Sequence, residues 1–166
     1  MMLGLSLATF TLVHVLISLV GIGTGLMVMD RLLHNRALGL GNTIFLWTTI
    51  ATSVTGFMFP FKAFGPPHMV GAISLVVLAF AVTALYVGKL AGAWRWIYVV
   101  TAVMALYFNV FVGVVQAFQK LAFLQPLAPT QSEPPFALAQ GAVLVLFLVL
   151  GFVAVRRFHP ADGVVA

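Results

Sequence analysis

The first charged side chains in this sequence are Asp30 and Arg31, and everything before them is almost wholly apolar. The pattern recurs to the far end: Lys62, Lys89, Arg95, Lys120, Arg156 and Arg157 stand singly or in pairs between long uncharged runs. A helix needs about 20 predominantly apolar residues to cross the hydrocarbon core of a bilayer. Five stretches meet that length, roughly 5–28, 42–60, 68–90, 94–120 and 135–157. Pro66-Pro67 and Pro134-Pro135 open the third and the fifth, and proline suits the first turn of a helix, where its missing N–H is no loss. The spacing therefore predicts an all-α fold, one integral-membrane bundle of five transmembrane helices over residues 1–166. Composition agrees: 63% of residues are hydrophobic and 7% charged, against about 25% charged in a soluble domain.

The same distribution excludes several functions. The net charge of +5 comes from eight scattered Lys and Arg, so there is no basic stripe to follow phosphates and no nucleic-acid partner is expected. Cysteine is absent, which removes disulfides, thiolate metal sites and Cys nucleophiles. The opening "MMLGLSLATF" has no positive n-region, so it is expected to be a retained helix and not a cleaved signal.

Arg31, Arg36, Lys89, Arg95, Arg156 and Arg157 fall on one side of the five spans, and Lys62 and Lys120 on the other. The positive-inside rule makes the first side cytoplasmic, giving an outside N-terminus and a cytoplasmic C-terminus. Trp47, Trp94 and Trp96 are expected at the inner interface, where amphipathic rings favour the headgroup level. The longest connection, 121–135, carries Pro126, Pro129, Pro134 and Pro135 and reads as a semi-rigid strap on the outer side.

Helical spacing sorts the polar residues. Thr11, His14, Ser18, Gly21 and Gly25 share one face of the first span, and Gly21 and Gly25 form a small-xxx-small pair that lets another helix approach. Thr101, Ala105, Asn109, Gly113, Gln116 and Lys120 line the fourth span. Thr48, Thr52 and Thr55 share a face of the second, with Thr49, Ser53 and Gly56 beside it. A rise of about 1.5 Å per residue sets His14 about 14 Å below the outer helix end, Asn109 about 16 Å, Thr52 and Ser53 about 11 Å, Gln140 about 8 Å and Gln116 about 6 Å, with His68 at the edge. The polar groups are thus expected in the outer half, beneath the strap, over an inner half of glycine, alanine and large apolar residues.

His14, Thr52, Ser53, His68, Tyr107, Asn109, Gln116 and Gln140 are the candidate ligand-binding residues. An ionisable side chain inside a membrane is by default a functional candidate. The plainer reading is that His14 joins helices by bonding to Asn109, a threonine or a carbonyl, at about 0.6–2 kcal/mol per bond. No metal site is expected, because no carboxylate or cysteine lies at the depth of His14. Haem b would need two axial ligands at matching depth, and His14 and His68 are the only pair available. A quinone would suit a histidine and an amide within a wall of Phe108, Phe111 and Phe118. Enzymatic activity is not expected: Ser18 or Ser53 beside His14 lacks an orienting carboxylate, and Glu133 with His68 is the best acid–base pair. Three roles stay open: a ligand-binding membrane protein or subunit of a larger assembly, a haem- or quinone-binding electron-transfer subunit, and a small-solute transporter. Lipids are expected neighbours, with a homo-oligomer or larger membrane complex possible.

The stretches "TSVTGFMFPF" (52–61), "ALYFNVFVGVVQAFQK" (105–120) and "APTQSEPPF" (128–136) resemble a group of small bacterial polytopic inner-membrane proteins. The resemblance runs from the first span to the last and implies a bacterial inner membrane, with no activity attached. The span count also matches the tryptophan-rich sensory protein family, but the tryptophan- and proline-rich stretches of that family have no counterpart here.

Overall fold

The computed structural model describes residues 4–60 and 65–159. Its described residues are 80% helical without strands, and the five long helices among them are α1 (Leu7–Leu33), α2 (Gly39–Gly56), α3 (Pro66–Val82), α4 (Ala93–Lys120) and α5 (Pro134–Arg157). α3 runs on through a π-helical turn, Thr83–Val87. The ends follow from local chemistry. Ser6 caps α1, its hydroxyl accepting from the Thr9 N–H at 3.1 Å. Proline occupies the first turn of both α3 and α5. Asn35, two residues beyond α1, takes φ +52°, a left-handed conformation that asparagine tolerates better than most residues.

Contacts between helices give the arrangement. α1 packs on α2, α2 on α3, α3 on α4, α4 on α5 and α5 back on α1, while α4 also reaches across to α1. Along α1 and α2 the pairing is antiparallel. His14 meets Thr55, Ser18 meets Thr52, Gly21 faces Thr48 and Gly25 faces Phe45, so one number falls as the other rises. α4 is the central helix, with Tyr98, Val99, Ala102, Val103, Ala105 and Leu106 all buried.

The predicted small-xxx-small face of α1 is where this packing is tightest. A Cβ on Gly25 would lie 2.5 Å from Leu106 Cδ1 and 2.9 Å from the Phe45 ring. One on Gly21 would come within 3.3–3.4 Å of Thr48, Asn109 and Thr49 polar atoms. Only glycine lets α1 lie this close to α2 and α4 at once.

Among the described residues, four helices are long and apolar enough to cross a membrane: Leu7–Leu33, Pro67–Val87, Ala93–Lys120 and Pro134–Arg157. This makes a multi-pass membrane protein. α2 is not among them, because Asn42, Thr48, Thr49, Thr52, Ser53 and Thr55 dilute its apolar content. Its boundaries also move: the helix stops at Gly56, not near 60, and Trp47 sits near its middle, 61% exposed. α1 continues past the first charges to Leu33, since Asp30 is held at the helix end by Arg36 at 3.3 Å and His34 at 2.9 Å.

Segments that carry several of the basic residues are tied together at one end. Arg95 Nη1, at the start of α4, donates to the carbonyls of Val155 (2.9 Å) and Phe158 (2.6 Å) at the end of α5. The His159 N–H donates to Asn35 Oδ1 at 2.8 Å, joining the same end to the α1–α2 turn. The densest packing is in the half next to this charged end, around Leu32, Phe45, Leu46, Leu78, Ala84, Tyr98, Val99 and Leu106. Toward the other end, side chains on α1 are mostly exposed and those on α4 mostly half-buried.

Candidate functional site

α2 presents polar side chains to three neighbours, and almost all find partners there. Thr52 and Thr55 face α1, Thr49 and Asn42 face α4, and Ser53 faces α3. Asn109 Nδ2 donates to the fully buried Thr49 hydroxyl at 3.0 Å. Ser53 Oγ donates to Ser74 Oγ at 3.2 Å, both buried. The Tyr98 hydroxyl donates to Asn42 Oδ1, both buried. An unpaired polar group in hydrocarbon costs several kcal/mol, so these pairs explain how so polar a helix sits inside an apolar bundle.

His14 lies on the α1–α2 seam toward the end opposite the basic cluster. Its Nδ1 is 2.8 Å from Thr55 Oγ1. The Thr55 hydroxyl in turn lies 2.7 Å from the carbonyl of Ala51. Two oxygens that close need a proton between them, and the hydroxyl has only one. Nδ1 must therefore carry the proton it shares with Thr55, which leaves Nε2 as a bare acceptor in the neutral ring. Among the described residues Nε2 makes no hydrogen bond. The ring is half-buried and stands edge-on to Phe59, with centroids 5.1 Å apart, and Phe59 meets Phe10 at 5.0 Å. Below it Ser18 donates to the His14 carbonyl at 2.7 Å and lies 3.4 Å from Thr52 Oγ1.

The other expected site residues lie elsewhere. Asn109 is not a partner of His14. Its contact, Thr49, is six positions along α2 from Thr55, about 9 Å of helix rise. Tyr107 turns to α5, its ring 5.7 Å from Phe147 and 6.0 Å from Phe111. Gln140 also serves the α4–α5 seam, Nε2 donating to the Phe111 carbonyl at 3.1 Å while its buried Oε1 has no partner. Gln116 is exposed. His68 sits in the first turn of α3, its Nδ1 accepting from the Gly65 N–H at 3.3 Å and its ring 5.9 Å from Phe57. The single pocket expected from depth therefore divides into an α1–α2 seam holding His14, Ser18, Thr52 and Thr55, and an α4–α5 seam holding Tyr107 and Gln140. Depth was the wrong guide because helices at equal depth still face different neighbours.

Two further expectations need correction. The half next to the basic end is not purely apolar, since it contains Asn42 and Tyr98. Asn42 shares a face with Thr49 and Ser53 at spacings of seven and four, a signal available in the sequence. Glu133 is committed to its own loop: Oε1 accepts from the Thr130 N–H (3.1 Å) and hydroxyl (2.7 Å), and Oε2 from the Ser132 N–H (3.1 Å). The Thr130 hydroxyl above all, with these backbone bonds, holds its pKa below the ordinary carboxylate value. Its role is that of an α5 N-cap residue, where negative charge is favoured by the helix dipole.

Among the described residues no group of three or more His, Asp or Glu is placed to hold a metal ion. Comparison with models of known protein families, with curated proteins and with solved structures finds no match.

Proposed function

We propose that this chain is a non-enzymatic multi-pass membrane protein that binds a small, largely apolar ligand at the α1–α2 seam, with the ligand's polar head on His14. One observation carries the reading. The ring is fixed by Thr55 through Nδ1, while Nε2 remains a bare acceptor in a half-buried, aromatic-walled position at the loosely packed end. A histidine serving only to join helices has no need of such an edge.

In this reading α2 is the fifth span. Its 18 residues rise about 27 Å, close to the roughly 30 Å of the hydrocarbon core, and it runs antiparallel to α1 with its polar groups turned to protein. The basic cluster supports a cytoplasmic position for the end bearing Arg31, Arg36, Arg95 and Arg157, with the His14 seam toward the outside. The resemblance noted for 52–61, 105–120 and 128–136 supports a bacterial inner membrane.

Haem and transport are supported less well. The His14 ring already packs on Phe59 and that of His68 on Phe57, which favours a site built on one histidine over a haem held by two. Between the seam and the basic end lies a packed layer of Phe45, Leu46, Ala102 and Leu106, which favours holding a ligand over passing it through. α5 is the least buried of the four apolar spans and exposes Leu138, Leu148 and Phe152, which keeps a role within a larger assembly as a second reading.

The test is purification in mild detergent followed by mass spectrometry of extracted small molecules. A stoichiometric amphipathic compound in the wild type, lost in folded His14→Ala, supports the proposal. Bulk lipid alone in both contradicts it.

A further inference from the structure

Resting on that reading of the seam, the hydrogen-bond pattern narrows the ligand's chemistry. We infer that the His14 site selects a lipid-soluble phenol or quinol, a ring whose hydroxyl donates to His14 Nε2, over the corresponding quinone.

The argument is a count of protons. Thr55 has one hydroxyl proton, and its 2.7 Å approach to the Ala51 carbonyl uses it. Ser18 likewise has one, given to the His14 carbonyl at 2.7 Å. The imidazole Nδ1–H goes to Thr55 at 2.8 Å. What the ring has left to offer is the lone pair of Nε2, which binds a donor and repels a carbonyl oxygen. A quinol carries two hydroxyl donors, whereas the oxidised quinone carries only acceptors. To bind a quinone through Nε2 the ring would have to take up a second proton, or switch tautomer and draw the Thr55 hydroxyl proton away from the Ala51 carbonyl.

The surroundings suit an aromatic head. Phe59 stands edge-on beside the imidazole and Phe10 packs in turn on Phe59, and aromatic rings favour such edge contacts at centroid distances of about 4.5–7 Å. Gly56 lies beside this ring. Among the described residues the nearest neighbour of a Cβ built on Gly56 is His14 Cε1, at 3.9 Å, the carbon bonded to both ring nitrogens. A larger residue at 56 would therefore crowd the edge of the imidazole that a ligand must approach.

The selectivity follows from ground-state binding, and no electron transfer is invoked. Thr55 is a positioning residue, since it acts through the tautomer it imposes on His14.

The experiment measures binding of a short-chain benzoquinol and its benzoquinone to the full chain in lipid nanodiscs under anaerobic conditions, against empty nanodiscs. Wild type, Thr55→Val and Gly56→Val are compared. One gained hydrogen bond against one repulsive contact predicts about tenfold tighter binding of the quinol. Thr55→Val should keep binding but reduce the preference to about twofold or less, because either ring nitrogen can then carry the proton. Gly56→Val should weaken the quinol at least tenfold while the protein stays folded by circular dichroism. Equal affinity for the two probes, or tighter quinone binding, overturns the inference and leaves the seam as a ligand site. A preference unchanged in Thr55→Val overturns it as well. Binding of neither probe above empty nanodiscs, with a different compound co-purifying on His14, overturns the inference alone. Neither probe binding and no compound co-purifying overturns the proposed function with it.

Discussion

Alanine at Gly23 and at Gly25 makes the same chemical change two residues apart on α1, but into opposite surroundings. At Gly23 nothing lies within 4 Å of the new Cβ. At Gly25 it would meet Leu106 Cδ1 at 2.5 Å and the Phe45 ring at 2.9 Å, and those side chains are 2% and 1% exposed. Neither can swing into open space, so α1 must shift or the core must deform. Overpacking of this kind costs about 1–3 kcal/mol. The backbone gain from replacing glycine in a helix, up to about 1 kcal/mol, is common to both variants and cancels in their difference. Gly25→Ala should thus be about 1–3 kcal/mol less stable than Gly23→Ala, with Gly21→Ala between them because its 3.3–3.4 Å contacts need only small adjustments. Reversible unfolding in mixed micelles, followed by circular dichroism, gives the comparison. Equal stability of the Gly23 and Gly25 variants would refute the close crossing of α1 over α2 and α4.

Three other outcomes follow from named contacts. Tyr98→Phe leaves the Asn42 amide oxygen buried without its donor and should destabilise by about 1–3 kcal/mol, while Asn42→Leu with Tyr98→Phe should cost less than the two single changes together, as a double-mutant cycle will read. Arg95→Met removes both bonds to Val155 and Phe158, so hydrogen exchange should quicken at 154–159 while the middle of α5 is unchanged. Glu133 stabilises its loop as a carboxylate whose pKa is lowered chiefly by Thr130. That contribution is complete above the ordinary glutamate pKa and is lost as pH falls through the lowered value, so 128–133 should loosen only on acidification below the usual carboxylate range, and Glu133→Gln should abolish this pH dependence in loop-reporter NMR.

Much of the architecture could be read from the chain because membrane spans are written in simple currency: apolar length and proline at helix starts. α4 and α5 begin at Ala93 and Pro134, within a residue of the 94 and 135 expected from the sequence. The errors lie where a residue's meaning depends on its neighbours. Asp30 looked like the end of α1, yet a carboxylate paired with Arg36 and His34 continues the helix to Leu33. Neither Asn42 nor Tyr98 stood out in the sequence, and only the meeting of α2 with α4 turns them into a buried pair. For His14 the interior face was legible from the three- and four-residue spacing of Thr11, Ser18 and Gly21. A threonine was among its expected partners, but not which one, because periodicity gives the face of one helix and leaves open which turn of the next helix lies opposite. The count of hydroxyl protons that exposes Nε2 needs the distances to Ala51 and Thr55, which no sequence contains.

The most direct measurement is the nitrogen-15 NMR spectrum of the His14 imidazole in lipid at neutral pH, assigned by comparison with His14→Ala. Thr55 and Ala51 predict a neutral ring protonated at Nδ1, with Nε2 bare and shifting when a donor ligand is added. A proton resident on Nε2 in the ligand-free protein would contradict the site at its centre.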